Sequence, residues 1–142
     1  MTKSKFYMNK KILITAAIFG LLSVVFGAFG AHGLKSLISA EALQSFETGV
    51  RYQMYHALLL LFVGSSLYVK SKNKNAIFYL IVIGIILFSG SIYGLATNEL
   101  TSFDFKTIAF ITPIGGLLLI AAWLVLLIGI SGNKFDPEMK KA

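Results

Sequence analysis

Tyr52 and Gln53 precede His56 by four and three residues, and helical spacing would set an imidazole beside a phenol and an amide on one face. Such a trio can hold a polar ligand or pass a proton, because imidazole is the side chain that exchanges a proton near neutral pH. One turn earlier, Glu47 and Arg51 stand four apart in the order that favours pairing. His32, Ser89, Ser91, Tyr93 and Thr112 are further polar residues set in apolar surroundings. All of these groups also have a structural use. Lipid satisfies no polar atom, so helices within it hydrogen-bond to one another and long side chains snorkel to the interface. The structural use is the expectation, and a ligand or proton-coupled site is its rival.

Catalysis has little to work with. No long apolar run contains an acid, and no serine has a base and an orienting partner in the pattern of a nucleophilic triad. Gln53 cannot act as a general base. Two histidines without a nearby carboxylate fall short of the ligands a first-row metal takes, and the chain has no cysteine for a thiolate site or a disulfide. The expectation is a protein that is not an enzyme and carries no metal and no cofactor.

The elements that would position these residues are membrane helices. The 142 residues are 56% hydrophobic and 13% charged, too little polar surface to coat a soluble globule of that size. Uncharged runs cover residues 12–31, 76–96 and 108–130, and each reaches the roughly 20 residues that a helix needs to cross a bilayer core. The fourth apolar run, 57–69, is shorter at 13 residues. A full crossing must therefore start near residue 50 and draw Arg51, Tyr52, Gln53 and His56 into the outer part of the membrane. Ahead of it Leu43, Phe46, Val50 and Met54 recur at helical steps, with Ser39 as N-cap and Glu41 in the first turn. The expected fold is all-α: a single membrane domain over 1–142, built as a polytopic four-helix bundle. Its spans are 12–31, 50–69, 76–96 and 108–130, with an outer interfacial amphipathic helix at 39–49 between the first two.

Charge sets the orientation. Lys3, Lys5, Lys10 and Lys11 precede the first span, Lys70, Lys72 and Lys74 separate the second from the third, and Lys134, Lys140 and Lys141 follow the fourth. The other two connections hold Lys35, Arg51 and Lys106 against Glu41, Glu47, Glu99 and Asp104. The positive-inside rule then gives a multi-pass protein of the inner (plasma) membrane with both termini in the cytoplasm. The net charge of +7 serves topology and anionic lipid head groups rather than nucleic acid. Cleavage of the first span as a signal peptide, after the trio Ala28, Phe29 and Gly30, would move the N-terminus outside, but the apolar run is longer than a signal core.

Small residues mark the helix faces. Ala16, Gly20, Ser23, Gly27 and Gly30 follow at steps of four and three in the first span. Gly84, Ser91 and Gly94 do the same in the third, with Gly90 and Gly94 as a GxxxG pair, and Gly115 and Gly116 thin the outer end of the fourth, just after Pro113. Such faces let backbones approach closely. Packing within one protomer is expected ahead of a homo-oligomer. By depth, the polar residues form one outer band to which all four helices contribute. The inner halves are apolar apart from Ser65, Ser66 and Trp123, which argues against a continuous water path. Leu43, Ser45, Phe46 and Glu47 are loosely echoed by Leu100, Ser102, Phe103 and Asp104, as two duplicated hairpins would be.

Four motifs, one per span, carry a family likeness: GAFGAHGL (27–34), FETGVRYQMYHALLL (46–60), FSGSIYGL (88–95) and TPIGGLLLIAAW (112–123). Together they resemble the YwdK and YgdD-like family of small bacterial membrane proteins, which is itself similar to a small eukaryotic transmembrane protein. The likeness runs over residues 10–130. It implies a four-helix inner-membrane protein from a domain family of unknown function, and it implies no reaction. Its motifs fall on the outer polar band at His32, Tyr52, Gln53, His56, Ser89, Ser91, Tyr93, Thr112 and Pro113.

These readings lead to a non-enzymatic membrane module whose outer-leaflet polar band binds a lipid head group, a small ligand or a partner helix. A small transporter or channel built as an oligomer is the alternative, because four short helices alone leave little room for a pore. An enzyme acting on lipid ranks third. Membrane lipids are the expected partners, and the small ligand is left open.

Overall fold

Each long apolar run folds as a helix in the computed structural model, which describes residues 3–132. The chain is an all-α membrane bundle of four helices: α1 (Lys3–Phe29), α2 (Ala40–Ser65), α3 (Ser71–Ala96) and α4 (Ile111–Ser131). Three stretches, Met8–Leu34, Ser71–Ala96 and Ile111–Ser131, are long and apolar enough to cross a membrane. A π turn, Gly30–Leu34, prolongs α1, and two 3-10 turns, Asn98–Leu100 and Phe105–Ile108, join α3 to α4. The C-terminal lysines Lys134, Lys140 and Lys141 lie outside the described residues.

The interfacial helix expected at 39–49 and the span expected from 50 are one uninterrupted helix. Ser39 caps it, its hydroxyl accepting the Ala42 N–H at 3.2 Å, and Glu41 puts negative charge at the positive end of the helix dipole. The helix stops at Ser65, short of the expected limit at 69, because the backbone turns extended at Ser66. The Ser66 hydroxyl accepts the Tyr68 N–H at 3.1 Å, and the Lys74 ammonium donates to the Gly64 carbonyl at 3.3 Å, so groups freed by the ending are satisfied. Val69 then folds back into the core. The fourth helix likewise begins at Ile111 rather than 108, where the Asp104 carboxylate accepts the Lys106 N–H and starts a 3-10 turn instead.

The small face of α1 lies against α2. A Cβ added to Gly30 would meet Phe46 at 3.2 Å, one on Gly27 would meet Val50 at 3.5 Å, one on Gly20 would meet Ala57 at 4.0 Å, and one on Gly64 would meet Leu13 at 2.8 Å. The partners descend as the α1 positions ascend. The two helices therefore run antiparallel along their common length. On the other side α4 buries only the stripe Gly115, Leu119, Ala122 and Leu126, at steps of four, three and four, and this stripe packs on α3. Gly115 is required there, because a Cβ would stand 2.8 Å from the Leu87 carbonyl carbon and 2.9 Å from the Gly84 oxygen.

The main core joins all four helices through residues such as Ile12, Leu60, Ile81 and Ala122, and a second cluster of Leu34, Phe46 and Ala96 closes the opposite end. In lipid the gain from such packing is close van der Waals contact rather than escape from water. Close fit at the glycines therefore carries much of the association.

Candidate functional site

Gln53 is the junction of three helices. It is 4% exposed, its side-chain amide donates to the Phe19 carbonyl of α1 at 3.0 Å, and its oxygen accepts the Tyr93 hydroxyl of α3 at 2.9 Å. The sequence places it on the buried face of α2, since Gly49, Gln53, His56, Leu60 and Val63 follow at steps of four and three. Tyr93 reaches it through a clasp of rings, with Phe26 at 5.1 Å edge-on and Phe46 at 4.8 Å. A Cβ on Gly49 would meet the Tyr93 ring at 2.8 Å, so that glycine makes room for the phenol.

One turn further along, His56 uses both ring nitrogens. Nδ1 lies 2.8 Å from the Tyr52 carbonyl, and Nε2 lies 3.3 Å from the Trp123 indole nitrogen. An indole N–H can only donate, so Nε2 accepts; the ring proton is then on Nδ1, which donates to the carbonyl. The partner on its own helix is thus the Tyr52 backbone and not the phenol, and the partner across the bundle is Trp123. The sequence places Trp123 in the inner half of the fourth span, as an exception to its apolar residues and away from the outer band. Side chains on α4 lean toward its N-terminus, which lifts the indole to the level of His56.

The serines bind helices together. Ser89 donates to the Gly49 carbonyl of α2 at 2.8 Å, and Ser91 meets the Thr112 hydroxyl of α4 at 2.6 Å while also bonding back to Leu87 and Phe88. Gln53, His56, Ser89, Ser91, Tyr93 and Thr112 therefore form cross-helix links, as the structural use of these groups requires.

Other expected members stand apart. His32 is exposed on the π turn and Pro113 is exposed at the start of α4. Arg51 is exposed and donates to the Thr48 hydroxyl at 3.0 Å rather than pairing with Glu47. The Tyr52 ring lies on the surface, 4.8 Å from the Phe88 ring. Among the glycines, Gly20, Gly27, Gly30, Gly84 and Gly115 meet neighbouring helices, Gly94 meets the Phe105 ring and Gly116 meets the Phe88 ring at 3.6 Å. Gly90 meets nothing within 4 Å: it shares the outward face of α3 with Ile83 and Ile86, so the GxxxG pair is not a packing pair.

Sequence reasoning missed the buried Lys74, whose ammonium donates to the Asn9 side chain at 3.0 Å and caps α2 through Gly64. A signal was present, because Lys74 is in helical phase with Ile77, Phe78 and Ile81. Trp123 and the Phe19 carbonyl had no comparable signal. Among the described residues, no three of His, Cys, Asp and Glu come together as metal ligands would.

Comparison with known proteins follows the same lines. A family described as protein of unknown function (DUF423) matches residues 26–116. The UPF0382 membrane protein of Staphylococcus saprophyticus is 43% identical over 120 residues, covering 84% of this chain and 96% of that one. YwdK of Bacillus subtilis, also named a UPF0382 membrane protein, is 40% identical over 122 residues, covering 84% and 94%. The UPF0382 inner membrane protein YgdD of Escherichia coli is 37% identical over 126 residues, covering 85% and 89%. No solved structure matches.

Proposed function

The chain belongs to the DUF423 family of membrane proteins, and from that premise we propose that it is a non-enzymatic binding or scaffold module of the inner membrane. It crosses four times with both termini in the cytoplasm. The fourth crossing is α2, since its glycine and side-chain pairs run the length of α1, a helix apolar enough to span. The lysine flanks supply the orientation.

The observation that carries this reading is the closed hydrogen bonding of the buried members of the polar band. Gln53 gives its donor to α1 and its acceptor to α3, and His56 has both nitrogens engaged. The band holds helices in register and leaves the outer-leaflet surface as the working face.

The test compares His56→Ala with His56→Gln in purified protein, by thermal unfolding and by the lipid that stays bound. Alanine leaves the Trp123 donor without its acceptor and should cost about 1–3 kcal/mol, whereas glutamine recovers part of the loss. Retained lipid should be the same in both. A His56→Ala protein as stable as the parent that has lost a bound molecule would contradict the proposal.

A further inference from the structure

The end of the bundle where α1 and α3 begin and α4 finishes carries one sign of charge. Among the described residues it holds Lys10, Lys11, Lys70, Lys72 and Lys74 and no carboxylate, while Glu41, Glu47, Glu99 and Asp104 all stand toward the other end. Lys74 is buried and bonded to Asn9 and Gly64. Lys11 is exposed and yet held in place, at the seam between α1 and α3. Its ammonium lies 4.8 Å from the centre of the Phe78 ring and 5.1 Å from that of Tyr79, and it donates to the Tyr79 hydroxyl at 3.4 Å. The Tyr79 oxygen accepts there, which leaves its O–H able to donate to the anion that Lys11 attracts.

Deeper than this pair the seam is apolar. Asn9 meets Lys74, Lys11 meets Tyr79 and Phe26 meets Tyr93, so α1 and α3 run parallel and in step. Ile18 and Leu22 follow Lys11 on one face of α1 after seven and eleven residues, and Ile86 follows Tyr79 on α3 after seven. All three are exposed. Level with Leu22 stands Gly90, with open space where a Cβ would be. It lies eleven residues past Tyr79, about 16 Å of helix, close to the roughly 15 Å of hydrocarbon in one leaflet. Both helices start at the charged end and lean their side chains toward it. Lys11 and Tyr79 therefore tip toward water, and the apolar positions lie on the membrane side of them.

We propose that this seam binds an anionic phospholipid of the cytoplasmic leaflet, with its phosphate on Lys11 and the Tyr79 hydroxyl and an acyl chain along Ile18 and Ile86 toward Gly90. The lysines at this end select an anionic head group, and an apolar seam one leaflet deep selects a molecule that also brings a hydrocarbon tail. The site lies at the opposite end from the outer-leaflet face and goes beyond that reading without depending on it. Only the choice of leaflet rests on the topology drawn from the lysine flanks.

The test titrates delipidated full-length protein in detergent with dioleoylphosphatidylglycerol or dioleoylphosphatidylcholine and reads bound lipid by native mass spectrometry. The parent should hold one phosphatidylglycerol more tightly than phosphatidylcholine, and Lys11→Gln should weaken it by about fivefold, the worth of one basic residue at an anionic head group. Lys11→Arg, which keeps the charge, should retain most of the binding. Lys70→Gln removes an equal charge nine residues before Tyr79, about 13 Å along α3 and beyond a Debye length, and should leave the affinity within about twofold. Ile86→Trp, which fills the seam and keeps every lysine, should weaken binding as Lys11→Gln does. Equal affinity for the two lipids overturns the site, as does equal loss in Lys11→Gln and Lys70→Gln, which would mean diffuse charge. Unchanged binding in Ile86→Trp, full competition by inorganic phosphate alone, or a dimer of the chain formed in place of lipid uptake also overturns it. None of these results bears on the His56 variants, which test the outer-leaflet reading separately.

Discussion

Removing the Gln53 amide should loosen three helices at once, and the size of the effect follows from what each partner keeps. In Gln53→Leu the Phe19 carbonyl still accepts the Ser23 hydroxyl at 2.9 Å, so that side loses one bond without being stranded. The Tyr93 hydroxyl loses its acceptor inside a clasp of rings, and an unpaired donor there costs about 1–3 kcal/mol. Tyr93→Phe strands the Gln53 oxygen at a similar cost. The double variant strands neither, so it should be less damaged than the sum, with a coupling energy of roughly 0.6–1.7 kcal/mol, the range for hydrogen bonds between membrane helices. Thermal unfolding can be followed by the fluorescence of Trp123, the single tryptophan. One kcal/mol corresponds to about 2–4 °C for a chain near this size, which such melts resolve. Strictly additive losses would mean that the Gln53–Tyr93 bond carries no energy, and the argument that the band ties α2 to α3 would fail.

Glycine positions give a matched pair: Gly115→Ala should be destabilised by about 1–3 kcal/mol because α3 backbone fills the space, while Gly90→Ala on the open face of α3 should be unchanged or slightly stabilised, both read by the same melts. Topology is accessible through unique thiols, since the parent has no cysteine. Ser71→Cys should label from the cytoplasmic side and Ser102→Cys from the outside, and external labelling at position 71 would sink the four-span arrangement.

What the chain discloses before folding depends on how local the physics is. The apolar runs, the Ser39 cap and the small face of α1 are set by spacing along one helix, and they stand in the structure where spacing puts them. The second span is harder, because Gln53 and His56 lower its apolarity while their hydrogen bonds to other helices make their burial tolerable. Periodicity says which residues share a face but not which neighbour the face meets. Gly90 and Gly94 are one turn apart, yet Gly94 lies under Phe105 and Gly90 meets nothing. The same limit hides Trp123 from His56, since their contact depends on the tilt of α4 side chains and on the register of α4 along α3. A lysine near a membrane end usually faces water, so Lys74 reads as a topological charge in the sequence; its burial follows from the Asn9 and Gly64 oxygens that await it.

The central claim is that the linked part of the polar band, Gln53, His56, Ser89, Ser91, Tyr93 and Thr112, is engaged in holding helices, and the tautomer of His56 tests it most directly. With His32→Gln, His56 is the only histidine, and its ring can be observed alone by 15N NMR in lipid nanodiscs. The account predicts a ring protonated at Nδ1 with Nε2 as acceptor, and a shift of the Nε2 resonance when Trp123 is changed to Phe. A ring protonated at Nε2, or an Nε2 signal indifferent to Trp123→Phe, would contradict it.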